Sequence, residues 1–70
     1  MLVRVQHGQL AAAFGYKLPL EVLSSGAGWY IGTFSNDEGP VSRESQEYWR
    51  TEAEAKQAFA DGSWTQRANP

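Results

Sequence analysis

The 70 residues suffice for one domain, and a chain this short buries only about 60% of the surface that its unfolded form exposes. It has no cysteine, which excludes disulfides and thiolate metal sites, and a single histidine, His7, is too few for structural zinc, so we expect no metal and no cofactor. The net charge is −2 and the six Lys and Arg residues are scattered, which disfavours a phosphate-binding patch.

The N-terminal region carries weak signals. Residues 2–5 alternate as in a short edge strand, and Gln9 to Phe14, with three alanines, is typical of a helical turn. Polar residues from Gln6 to Gln9 interrupt the apolar run that a signal peptide needs, and no segment approaches the ~20 apolar residues that span a bilayer. We therefore expect a cytoplasmic protein that does not interact with membranes.

A three-stranded antiparallel meander is predicted from about Leu18 to Arg50. Leu18, Leu20 and Val22 alternate with their neighbours, and this strand is expected to begin at or after Pro19, which cannot donate to a ladder, or to lie at a sheet edge. The remaining pieces are a glycine turn at 24–28, a strand from Trp29 to Phe34 that is bulky on both faces, a polar turn at 35–40, and a third strand within 41–50.

The C-terminal helix has the clearest boundaries. Thr51 and Glu54 have the spacing of a capping box, in which each side chain accepts a hydrogen bond from the other residue's amide. Gly62 predicts the end of the helix. We therefore predict a helix from about Glu52 to Asp61 that turns Ala55, Ala58 and Phe59 inward.

These elements indicate an α+β domain in which one C-terminal helix packs on the meander. The N-terminal segment is expected to add an edge strand or a cover. The single domain spans residues 1–70, with a structured core at about 16–65 and a frayed tail at 66–70.

No enzyme is predicted. His7 has no Ser, Asp or Glu at a motif-like spacing, so we expect a surface histidine rather than a general base. Asp37, Glu38 and Gly39 lack the remaining ligand positions of a calcium loop and indicate a solvated turn. The glycines at 26, 28 and 32 precede an aromatic strand instead of a helix, which excludes a dinucleotide-binding loop.

The pattern G-W-Y-I-G-T…G-P-V-S-R-E-S-x-E-Y-W-x-T-x-x-E-A…G-x-W-T-Q-R extends from Gly28 to Arg67. It resembles a group of small uncharacterised bacterial proteins that are often carried on plasmids, phages or other mobile elements. The resemblance implies a compact meander-plus-helix unit of bacterial or mobile-element origin. It implies no functional residue, because no activity is established for the group.

The aromatic residues and arginines suggest a binding surface. One short helix covers one face of the sheet, so the other face is left for the N-terminal segment, a second copy or a partner. Arg43 has two interpretations. It clamps a carboxylate or phosphate, or it pairs with Glu44, Glu47 or a neighbouring strand and stabilises the loop. The predicted surface comprises Trp29, Tyr30, Phe34, Arg43, Tyr48 and Arg50.

The function predicted from this surface is non-enzymatic binding of another protein, or self-association. The alternative is a small nucleic-acid-binding accessory protein that stacks bases on the aromatic face and uses Arg43, Arg50 and Arg67 for phosphates.

Overall fold

A computed structural model describes residues 6–69 and confirms the predicted α+β class. Three strands form one antiparallel sheet in the order β1-β2-β3, and a C-terminal helix contacts β1 and β2. The elements are α1 (Gln9–Ala13), β1 (Glu21–Ser25), β2 (Gly28–Ser35), β3 (Gly39–Arg43) and α2 (Glu52–Asp61). The edge strand predicted at residues 2–5 lies outside the described residues.

The central strand β2 is buried on both faces at its middle. Ile31 and Thr33 are 0% exposed on one face, and Tyr30 on the other face is 7% exposed. Successive side chains of a strand point to opposite sides, so the two buried sets belong to different layers. The prediction that Trp29 to Phe34 forms a central strand covered on both sides is confirmed at these residues.

The third strand is shifted from its predicted place within 41–50. It begins at Gly39, whose φ of +82° closes the preceding turn, and it ends at Arg43. The ladder stops there because the amides of Glu44 and Ser45 both donate to the Ile31 carbonyl, at 2.8 and 2.9 Å. Two consecutive amides on one acceptor break the alternation that a strand requires.

The helix α2 has its predicted bounds and half of its predicted cap. The Thr51 hydroxyl accepts a hydrogen bond from the Glu54 amide at 3.2 Å. The Glu54 carboxylate accepts from the same hydroxyl at 3.1 Å, in place of the predicted bond to the Thr51 amide. Gly62 ends the helix in the left-handed conformation, at φ 70°, and Ala55 and Ala58 are buried as predicted.

A buried carboxylate connects the sheet to α1. Glu44, 0% exposed, accepts hydrogen bonds from the amides of Leu10 and Ala11, both at 3.0 Å. It also accepts from the Ser42 hydroxyl at 2.5 Å and from Gln66 Nε2 at 2.7 Å. Burial raises the pKa of Glu44, but these four hydrogen bonds outweigh it and hold the pKa below its ordinary value.

The C-terminal segment is attached to the residues that follow β3. The Arg67 amide donates to the Glu44 carbonyl at 2.7 Å, and the Gln46 amide donates to the Thr65 carbonyl at 2.8 Å. Ser45 and Gln66 form an antiparallel bridge between these bonds. The chain is therefore held through Arg67, beyond the point at 66 where we predicted the frayed tail to begin.

Across residues 6–69, the structure contains no helix long and apolar enough to cross a membrane.

Candidate interaction surface

The sheet presents one face that carries most of the predicted binding residues. Tyr30 pairs with Leu23 of β1, and Gly32, two residues along β2, pairs with Arg43 of β3. Paired residues in a ladder point to the same side, which places these side chains together. The aromatic face is defined here as Leu23, Tyr30, Phe34, Arg43 and Tyr48.

Tyr30 forms the base of the aromatic face. Its ring lies over Gly32, since a Cβ added to that glycine would sit 2.8 Å from Tyr30 Cε2 and would also meet the Ser42 carbonyl. The Tyr48 ring meets the Tyr30 ring edge-on, with centroids 6.0 Å apart and planes at 73°. Burial, and then the neighbouring Tyr48, raise the pKa of Tyr30, although Arg43 opposes them.

Arg43 stacks on an aromatic ring. Its guanidinium carbon lies 4.5 Å from the centroid of the Tyr48 ring, in the geometry of a cation–π interaction. The structural interpretation from the sequence paired Arg43 with Glu44, Glu47 or a neighbouring strand, and neither glutamate is its partner. Glu44 instead binds the donors described above, and the Glu47 carboxylate accepts from the Thr65 amide at 2.9 and 3.1 Å.

Two large aromatic side chains of this face remain open to solvent. Tyr48 is 42% exposed and Phe34 is 40% exposed. Phe34 pairs with Pro40, across the irregularity that shifts the β2–β3 register between Thr33 and Phe34. The face therefore combines a buried base at Tyr30 with exposed rings on the same side of the sheet.

Trp29 and Arg50, the other two predicted surface residues, lie apart from this cluster. Trp29 is half-buried on the opposite face, where its amide and carbonyl exchange two 2.8 Å hydrogen bonds with Trp49. Trp49 in turn borders a groove with Ala53 and Ala58 of α2. Arg50 is exposed, directly before the residue that caps α2.

The residues for which the sequence analysis favoured a surface role lie at exposed positions. His7 is exposed and forms a bridge with Pro19, and Asp37 and Glu38 lie in an exposed turn. The described residues contain no group of three or more His, Cys, Asp or Glu side chains that could hold a metal ion.

Sequence reasoning missed the central position of Glu44. The sequence offered one usable signal, since Ser42 and Glu44 are spaced as residues on one face of a strand. In the structure Ser42 pairs with Thr33, which is buried. The Thr33 and Ser42 hydroxyls lie 2.7 Å apart, and Ser42 donates to Glu44. The carboxylate of Glu44, one residue beyond the end of β3, therefore lies on the same side as the Ser42 hydroxyl, inside the domain.

Comparison of the chain with models of protein families, with curated proteins and with solved structures finds no match.

Proposed function

We propose that this protein is a non-enzymatic interaction module that binds another protein through its aromatic face. The observation that carries the proposal is that Tyr48, 42% exposed, contacts both the Tyr30 ring and the guanidinium of Arg43. Tyr, Trp and Arg are the residues that most often dominate the energy of protein interfaces. A ring that is already held by two neighbours loses less side-chain entropy on binding than a free one.

Phe34 extends the proposed contact. It is 40% exposed on the same side of the sheet as Tyr48, and Leu23 beside Tyr30 is partly exposed as well. Exposed apolar surface that is continuous across several residues is a common mark of a binding site. We therefore assign the contact to these rings rather than to Trp29, which lies on the α2 side.

Protein binding is favoured over binding of single-stranded nucleic acid. A base-stacking platform needs open ring faces. Tyr30 is 7% exposed, and Arg43 lies over one face of the Tyr48 ring. The net charge of −2 adds no general attraction for phosphates.

We place this function in the cytoplasm of a bacterium, with a partner encoded by the host or by a mobile element. This placement rests on the cysteine-free composition and on the resemblance of Gly28 to Arg67 to plasmid- and phage-borne proteins.

Affinity capture from bacterial lysate with three matched baits tests the proposal. The baits are the original chain, Tyr48→Ala, and Phe14→Ala, which removes an aromatic side chain that is 58% exposed at the end of α1. We expect a protein that the original chain and Phe14→Ala retain and that Tyr48→Ala loses. Thermal melting of the three baits controls for their folding.

The other results of this experiment contradict the proposal. Retention of the same proteins by Tyr48→Ala shows that the aromatic face does not make the contact. Retention that nuclease treatment abolishes supports nucleic-acid binding instead. Sedimentation of the purified chain tests self-association separately. A sedimentation coefficient that rises with concentration, and does so less in Tyr48→Ala, replaces the proposed partner by a second copy of the chain.

A further inference from the structure

We infer that the partner segment bound by the aromatic face carries a carboxylate next to an apolar side chain, with the carboxylate on Arg43 and the apolar group on Tyr48. This inference rests on the proposed function and specifies the chemistry of the ligand.

The stacking of Arg43 leaves its hydrogen-bonding edge available. A guanidinium is planar and carries five N–H donors. The Arg43 guanidinium carbon lies over the Tyr48 ring, and none of its N–H donors forms a hydrogen bond with the part of the chain that the structure describes. Within residues 6–69, the one ion pair is between Lys56 and Glu52 on α2, and Arg43 has no carboxylate partner there. A carboxylate matches this edge with two parallel hydrogen bonds.

The charges around Arg43 favour an anionic ligand. Arg67 Nη1 donates to the Arg43 carbonyl at 3.4 Å, which brings a second guanidinium to the end of β3. The two nearest carboxylates in the sequence are already bonded, Glu44 in the core and Glu47 to the Thr65 amide. Glu21 of β1 also pairs with Gly32, from the strand opposite Arg43, and it forms no ion pair with Arg43.

The apolar part of the ligand follows from the rings beside Arg43. Tyr48 and Phe34 are exposed to similar extents, and both lie on the side of the sheet to which Arg43 points. An aliphatic or aromatic residue that packs against Tyr48 places an adjacent carboxylate within reach of the guanidinium. A segment such as apolar-Glu or apolar-Asp therefore satisfies both contacts.

Selection of peptides from a random library displayed on phage tests this inference. The original chain serves as the target, and synthetic copies of the enriched peptides are then titrated by fluorescence polarisation. We expect the enriched peptides to contain Asp or Glu beside an apolar residue. Arg43→Gln is expected to weaken their binding by about tenfold or more, because a hydrogen bond to a charged group is lost.

A double-mutant cycle assigns the contact. Replacing the acidic residue of the peptide by its amide is expected to weaken binding to the original chain, and to change little in Arg43→Gln. Phe14→Ala, which lies outside the face, serves as the control and should bind as the original chain does. Additive losses in the cycle overturn the assignment of the carboxylate to Arg43.

The remaining outcomes separate this inference from the proposed function. If the enriched peptides lack acidic residues but bind Tyr48→Ala more weakly than the original chain, the proposed function stands and the carboxylate inference is overturned. Peptides unaffected by Tyr48→Ala, or no enriched peptide at all, overturn both. Labelled oligo(dT) is titrated in parallel. If it binds the original chain and fails to bind Arg43→Gln, the N–H donors of Arg43 bind phosphate instead of carboxylate.

Discussion

The carboxylate of Glu44 accepts a hydrogen bond from the amide of Leu10 at 3.0 Å, although 34 residues separate the two in the chain. Leu10 and Ala11 are the second and third residues of α1, whose amides an N-cap side chain normally binds. The N-cap residue here is Gly8, which has no side chain. Glu44, the residue after β3, therefore supplies the cap that α1 lacks locally.

Replacing this carboxylate should destabilise the whole domain. Glu44→Gln keeps the side-chain volume but replaces one carboxylate oxygen by an NH₂ group, which cannot accept a hydrogen bond from the buried amides of Leu10 and Ala11. Hydrogen bonds to charged groups contribute about 1.5–3 kcal/mol each. We expect a loss of at least about 2 kcal/mol, which lowers the melting temperature by about 10 °C in a domain of this size. Glu21→Gln, at an exposed end of β1, is the control and should stay within about 0.5 kcal/mol.

The stability conferred by Glu44 should disappear in acid. Its pKa is held below the ordinary value of 4.5, so the folded state favours the ionised form more than the unfolded state does. The contribution is complete above pH 4.5 and is lost as the pH falls through the folded-state pKa. Urea unfolding at pH 7 and at successive values below 4.5 measures it. We expect the stability gap between the original chain and Glu44→Gln to narrow in acid, and a constant gap contradicts this assignment.

Gly8 should tolerate no larger residue, for a steric reason. A Cβ at this position would lie 2.5 Å from Thr33 Cγ2 and 2.6 Å from Glu44 Oε2, while its φ of −70° suits any residue. Gly8→Ala is therefore expected to destabilise the domain by about 1–3 kcal/mol through overpacking.

Gly26 provides the matched comparison for Gly8. Its Cβ position is open, and its φ is not positive. Gly26→Ala should be neutral, or stabilise by up to about 1 kcal/mol by restricting the unfolded chain. Equal effects of the two substitutions in chemical denaturation would show that the space beside Glu44 is not tightly filled.

The sequence predicts well those features that depend on neighbouring residues. The cap at Thr51, the stop at Gly62 and the hairpin turn before Gly28 each depend on a few adjacent residues, and all are present. The full set of Glu44 partners could not be read from the sequence, because two of the four are backbone amides, which every residue possesses and which leave no mark on composition.

The sequence predicted which kinds of residue form the candidate surface, but not which of its rings are buried or what Arg43 contacts. The alternation of Trp29 to Phe34 separates the two faces, but it does not show which ring is buried. Tyr30 is buried because Gly32 leaves room beneath its ring and Tyr48 closes over its edge, and Tyr48 lies 18 residues further along the chain. Arg43 lies over the Tyr48 ring, while the carboxylates of Glu44 and Glu47, its expected partners, are bonded to other groups.

The cap of α2 can be tested by a single substitution. Thr51→Ala removes the hydroxyl that accepts from the Glu54 amide, and the loss of such a cap costs about 0.5–2 kcal/mol. We expect the melting temperature to fall by several degrees. Ser63→Ala, just beyond the other end of the helix, is the control for removing an exposed hydroxyl. An unchanged melting temperature in Thr51→Ala would show that this hydrogen bond contributes nothing to stability.

Truncation of the two tyrosines of the aromatic face should destabilise the domain to very different extents. Tyr30 is 7% exposed and its ring fills the space over Gly32, so Tyr30→Ala creates a cavity and is expected to cost about 3–5 kcal/mol, enough to unfold a domain this small. Tyr48 is 42% exposed. Tyr48→Ala gives up one edge contact and one cation–π contact, and should cost about 1–2 kcal/mol.

Circular dichroism melts of the two variants, each followed by binding of the captured partner, measure this difference. Tyr48→Ala should remain folded and fail to bind, whereas Tyr30→Ala should lose the cooperative transition. Tyr30→Phe is the control, because it keeps the ring over Gly32 and should remain folded and bind. If Tyr48→Ala unfolds as completely as Tyr30→Ala, both rings belong to the core. The aromatic face would then have no exposed ring at its centre with which to bind a partner.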